Sequence, residues 1–157
     1  MKKFLKIFIG VILALLLLTP VVLGITITGI NDSIAEKTAK EISLHPLPEN
    51  TNLCDTVCAA RKLVGNGNGM QYMGAILVTS ELAEEELRAY YSEAFDFVEV
   101  RLQESADIDY VNNSDYSFEN FDSTDGKTYY SVTLWGSARK YYPDWVVTLL
   151  NYDLRGH

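Results

Sequence analysis

Cys54 and Cys58 stand four residues apart and are the only cysteines in the chain. On a helix they would share a face with Cα atoms about 6 Å apart, within disulfide range. Outside the cell such a pair can oxidise to a mutual disulfide, and two buried thiols are the plain alternative. There is no CxxC redox pattern, and no further Cys to complete a thiolate metal site. The two histidines are no better placed for chemistry. His45 falls between two expected helices and His157 is the last residue, so neither is held where a packed scaffold would fix a catalytic base. Glu41 and His45 share helical spacing, but two ligands do not make a metal site. No metal and no cofactor is expected.

Acids gather in one segment: Asp107, Asp109, Asp115, Glu119, Asp122 and Asp125, with Asn112 and Asn113 among them. Calcium favours oxygen-rich loops, yet the EF-hand pattern fails, because Val111 and Asn112 replace an expected ligand and the required Gly. A solvated loop is the plain reading, and a glycosidase-like carboxylate pair is the sharp one. Upstream, Gly65, Asn66, Gly67, Asn68 and Gly69 alternate in KLVGNGNGM. Successive amides there can form an anion-binding nest. A nucleotide loop would end in Lys-Ser or Lys-Thr before a helix, and here Met70-Gln71 and a strand follow. The plain reading is a helix stop leading tightly into that strand.

Eleven of the eighteen aromatic residues lie between Tyr110 and Tyr152. Tyr129, Trp135, Tyr141 and Tyr142 are the candidates for a sugar- or peptide-binding surface. Adjacent Tyr129 and Tyr130 must face opposite sides of a strand, so at least one of them can lie outside a core.

The elements that would position these residues follow from periodicity. Asn31, Asp32 and Ser33 can cap a short helix carrying Ile34, Thr38 and Ile42, and Pro46 and Pro48 stop it. A second short helix is expected over Thr51 to Leu63. Met70 to Ser80 is apolar on both faces, as in a strand covered on two sides. Ser80 can cap a helix whose stripe is Ala83, Leu87, Tyr90, Tyr91 and Ala94, with Glu84 and Arg88 paired outside. Phe95 to Leu102 alternates with period two, Asp125-Gly126 marks a hairpin, and strands are expected around Tyr116 to Phe121, after Lys127 and around Trp145 to Tyr152. The fold class is therefore α+β: short helices and an antiparallel sheet of about five strands packed on one helix, in an order that a cystatin-like roll also uses.

The chain has 157 residues and a net charge of −8. Lys2, Lys3 and Lys6 precede 24 uncharged residues, Ile7 to Ile30. About 20 apolar residues span a bilayer, so this run is long enough for a transmembrane helix with a cytoplasmic N-terminus. Its rival is a cleaved export signal, with Val22 and Gly24 at the cleavage site and the domain secreted. Beyond residue 30 stand ten basic and twenty-one acidic residues, a net −11. That charge repels phosphate backbones, so no nucleic acid is expected as partner. The expected organisation is an anchor or signal over 1–30, a juxtamembrane helical connector over 31–64 and an extracytoplasmic α+β domain over 65–157.

The segment Lys62 to Tyr91, KLVGNGNGMQYMGAILVTSELAEEELRAYY, resembles a block in small membrane-anchored bacterial proteins of unknown function, and the closing YDLRGH fits the same group. The resemblance implies an anchored topology and no activity. The functional expectation leans away from an enzyme. It is a single-pass extracytoplasmic binding or interaction module of the cell envelope, attached to the membrane through residues 7–30, with an envelope protein or a neutral glycan as partner. The alternative is a small extracytoplasmic hydrolase using carboxylates.

Overall fold

The computed structural model describes residues 2–65, 67, 69–112 and 116–156. The apolar leader and the expected juxtamembrane helix are one element. Helix α1 runs without a break over Lys2–Ser43, through Pro20. At 1.5 Å per residue it is about 63 Å long, roughly twice a hydrocarbon core. Its two halves live differently. Large apolar side chains at Phe4 and from Ile7 to Ile25 are exposed, whereas Ile27, Asn31, Ile34, Ala35, Thr38, Ala39 and Ile42 are buried against the rest of the chain. Pro46 and Pro48 follow closely after the helix end, as expected of residues that cannot extend it.

Strands β1 (Thr51–Arg61), β2 (Gln71–Ser80), β3 (Val98–Leu102) and β4 (Tyr129–Gly136) form an antiparallel sheet in the order β1-β2-β4-β3. The strand count is four rather than about five, and two expectations are overturned. Thr51 to Leu63 is strand β1, not a helix. Its spacings of four and three suited a helical stripe, but pairing with β2 along its whole length decided the outcome. Trp145 to Tyr152 is not a strand: helix α3 covers Asp144–Leu150. The stretch around Tyr116 to Phe121 contributes only an isolated bridge between Asp107 and Ser117 among the described residues.

The sheet is covered on both faces, which is why β2 reads as a continuous apolar run. Odd and even positions divide accordingly. Ile76, Val78, Tyr130, Val132 and Leu134 meet Ile42 of α1 and Leu87 and Tyr91 of helix α2 (Glu84–Ala94). Met73, Ala75, Leu77 and Tyr129 meet Ile108, Val111 and Phe118 from the long irregular segment after β3. Tyr129 and Tyr130 thus face opposite sides, as alternation requires, and both are buried. The stripe expected on α2 buries Leu87 and Tyr91. Its N-cap is Ala83 rather than Ser80: the Glu86 carboxylate accepts from the Ala83 amide at 2.8 Å, while Ser80 Oγ accepts from Leu82 and meets Thr51 Oγ1.

α1 lies against the sheet face at Gly74 and Gly136. A Cβ at Gly74 would collide with the α1 backbone at Thr38 and Ala39, and one at Gly136 with the Thr38 side chain. These glycines serve close approach, not backbone conformation.

Candidate functional site

Trp135, at the end of β4, lies where two clefts meet. One, of about 290 Å³, is lined by Glu41, Asp96, Phe97, Trp135, Lys140 and Tyr141 among others. The other, of about 460 Å³, lies between Met70, Tyr72, Glu99, Arg101, Tyr110 and the same Trp135-Gly136 corner. The Trp135 indole Nε1 donates to Glu99 Oε1 at 3.1 Å, and the Trp135 amide donates to the Phe97 carbonyl, so the ring is fixed. Arg101 stacks over Tyr110, 4.6 Å from guanidinium carbon to ring centroid, and pairs with Glu99 at 2.9 Å. Tyr110 in turn shares a hydrogen bond with Thr133, and burial holds its phenol above the usual range despite that bond and the nearby Arg101. Lys140 closes the first cleft through Glu41 at 2.6 Å. The clefts therefore set aromatic faces beside the ion pairs Glu41–Lys140 and Glu99–Arg101, with Asp96 a further carboxylate in the first.

The sequence candidates divide. Trp135 and Tyr141 reach the first cleft, where the exposed Phe97, which periodicity assigned merely to a strand, joins them. Tyr129 does not: it is core, packed on Phe121 with its hydroxyl donating to Asp125 at 2.8 Å. Tyr142 packs with Ile27, Ile34 and Leu150. The glycine loop borders the second cleft, which its flanking residues Val64 and Met70 line. Leu63 and Val64 amides both donate to the Gln71 side-chain oxygen at 2.7 Å, so the chain itself supplies the acceptor at the loop's entry. The Gly65 carbonyl accepts from Asn112, and the Gly69 amide donates to the Gly156 carbonyl. Gly65 and Gly69 take positive φ of 73° and 143°, but they stop no helix, because strand β1 precedes them. Gly67 is described without a contact of note, and Asn66 and Asn68 lie outside the described residues.

The cysteine pairing is corrected by the strand. At about 3.3 Å per residue, four residues separate two Cα atoms by about 13 Å, far outside disulfide reach. A bulge also skips Cys54 in the pairing between Leu53 and Asp55, which turns the thiols to opposite faces. Cys54 packs toward the Leu77 and Tyr129 side and Cys58 toward Ile34 and Tyr72. Both are free thiols, and burial together with Glu36 and Asp32 pushes the Cys58 thiol up.

In the acidic segment, Asp122 and Asp125 are exposed and held ionised. Asp122 accepts from Thr124, whose hydrogen bonds hold its carboxyl low. Asp125 pairs with Lys127 at 2.8 Å and is brought down to about 2 by it. A general acid needs the opposite shift. Among the described residues, no three His, Cys, Asp or Glu side chains are grouped to hold a metal ion. Asn113, Asp115 and His157 lie outside the described residues. His45 packs among Tyr90, Tyr91 and Phe95.

A polar cluster that periodicity cannot signal sits where α1 leaves the domain. The buried Asn31 amide nitrogen donates to the Leu150 carbonyl and to Asp153 Oδ2, and its oxygen accepts from the Tyr72 hydroxyl at 2.8 Å. Arg155 reaches Asp153 at 2.7 Å and Asp32 at 2.8 Å and donates to the Thr28 carbonyl. Burial opposes charge on Asp153, but Arg155 and Asn31 outweigh it and bring its pKa to about 2. Burial, with Asp153 nearby, pushes the Tyr72 phenol up to about 12. The closing Asp-Leu-Arg-Gly thus ties the chain end to α1. Comparison with family models, curated proteins and solved structures finds no match.

Proposed function

We propose that this chain is a single-pass, membrane-anchored extracytoplasmic binding module of the cell envelope, taking a neutral glycan in the first cleft beside Trp135. The observation that carries the reading is that cleft: Phe97, Trp135 and Tyr141 gather beside an internally neutralised Glu41–Lys140 pair. Aromatic faces with a few polar groups suit sugar rings, and with Glu41 paired to Lys140 the cleft's remaining carboxylate, Asp96, disfavours an anionic ligand. An acidic domain of net −11 also favours a neutral or basic partner over anionic wall polymers. The anchor is supported by the exposed apolar half of α1 preceded by lysines. The carboxylate hydrolase is not supported, because the shifted acids of 107–125 are exposed and held ionised.

The test is direct binding of neutral cell-wall oligosaccharides, with Phe97→Ala and Tyr141→Ala as exposed-residue variants. Each is expected to weaken binding by about five- to tenfold, the scale of losing one aromatic contact of 1–1.4 kcal/mol. Unchanged affinity in both would refute the cleft. Fractionation tests the anchor: a fragment beginning near Ile25 in the medium would overturn it.

A further inference from the structure

We infer that the C-terminal face formed by Leu149, Tyr152 and Leu154 lies on the bilayer, embedded at the headgroup boundary on the outer side of the anchor. The inference rests on the anchored reading of α1 and adds a second membrane contact to it.

The path of the chain end along α1 carries the argument. Lys140 binds Glu41, Tyr141 lies under the Lys37 ammonium at 4.9 Å, the Leu150 carbonyl accepts from Asn31, and Arg155 reaches Asp32 and the Thr28 carbonyl. From Lys140 to Arg155 the contacts descend from residue 41 to residue 28, about 20 Å along the helix axis at 1.5 Å per residue. They descend toward the end where α1 loses its covering. Ile27 is 6% exposed and Ile25 is 70% exposed, so the change from protein-covered to bare helix falls there. Tyr152 and Leu154 stand between Leu150, held at Asn31, and Arg155, whose side chain reaches Thr28 about a turn from the bare helix.

Their exposure is otherwise unexplained. Leu154 is 87% exposed, Tyr152 69% and Leu149 40%, while Val146, Val147 and Leu150 of the same segment pack inward. Single exposed apolar residues are ordinary, but three within six residues, on a segment whose contacts run toward the bare part of α1, call for a covering partner. A tyrosine with a leucine suits the interface, where an apolar body meets lipid and a hydroxyl meets water. Arg155 stands at the same level, its charge held by Asp153 and Asp32.

The full-length chain, reconstituted in phosphatidylcholine vesicles carrying a diazirine on the acyl carbons nearest the glycerol, tests this by photolabelling and peptide mapping. Adducts are expected on residues 7–25 and on 149–154, with none at Phe97, which is equally exposed on another face. Adducts on 7–25 without any on 149–154 would overturn the inference and leave the anchor standing. Equal labelling at Phe97 would also overturn it, because the contact would be indiscriminate. Absence of adducts on 7–25 would remove the anchor, and the inference with it.

Discussion

Tyr91 carries the one buried side-chain polar atom among the described residues that lacks a hydrogen-bond partner, its hydroxyl. An unpaired buried hydroxyl costs about 1–3 kcal/mol, so Tyr91→Phe is expected to stabilise the fold by up to about 1 kcal/mol once the ring packing is retained. Urea unfolding of the two proteins measures it, and a clear loss would mean the hydroxyl has a partner. The Asn31–Tyr72–Asp153–Arg155 cluster behaves oppositely. Asp153 titrates near 2 when folded and near 3.9 when unfolded, so its contribution is complete above about pH 4 and disappears as pH falls through 2. Tyr72 is raised to about 12 from about 10, so its contribution is complete below pH 10 and disappears as pH rises through 12. Melting temperature against pH should therefore fall at both ends, and Tyr72→Phe should flatten the alkaline limb. Little of this cluster was legible beforehand. Asn31 read as a helix cap and Arg155 only as part of the closing YDLRGH, since contacts between residues 31 and 153 have no periodic signature.

At the level of elements, legibility followed burial pattern. β2, α2 and β3 were readable because one or both of their faces are buried in register with their period. β1 was not, because its bulge at Cys54 breaks the alternation that marks a strand. α3 was not, because seven residues carry too little period to separate a helix from an apolar strand. In the site, Trp135 and Tyr141 were legible as aromatics, but the companion Phe97 was not. Its place in the cleft comes from the turn between α2 and β3, which sequence spacing does not encode. One tight joint between elements is Gly74 against the α1 backbone at Thr38 and Ala39. Gly74→Val would force apart two packed backbones, and overpacking of this kind costs about 1–3 kcal/mol or more. Thermal unfolding should report a large drop, whereas Gly126→Ala, in open space but at φ 72°, should cost less.

For the molecule as a whole, the boundary that matters falls inside α1. Residues expected to be connector are core: Ile34 and Ile42 are fully buried and Ala35 and Ala39 nearly so. Fully burying each isoleucine is worth about 1.5–3 kcal/mol, a large part of a typical total of 5–15 kcal/mol. A chain beginning at Ile25 should therefore fold as a soluble domain, while one beginning at Leu44 should not. Circular dichroism and cooperative unfolding distinguish them. The continuity of α1 from Lys2 to Ser43 has a mechanical consequence. No loop intervenes between the apolar half and the sheet, so the domain turns with the part of the stem that follows Pro20. A tilt of the stem swings the Trp135 corner through the same angle, like the head of a rigid lever. If the stem is anchored as proposed, bilayer thickness, which sets such tilts, would thereby set the direction in which the cleft looks.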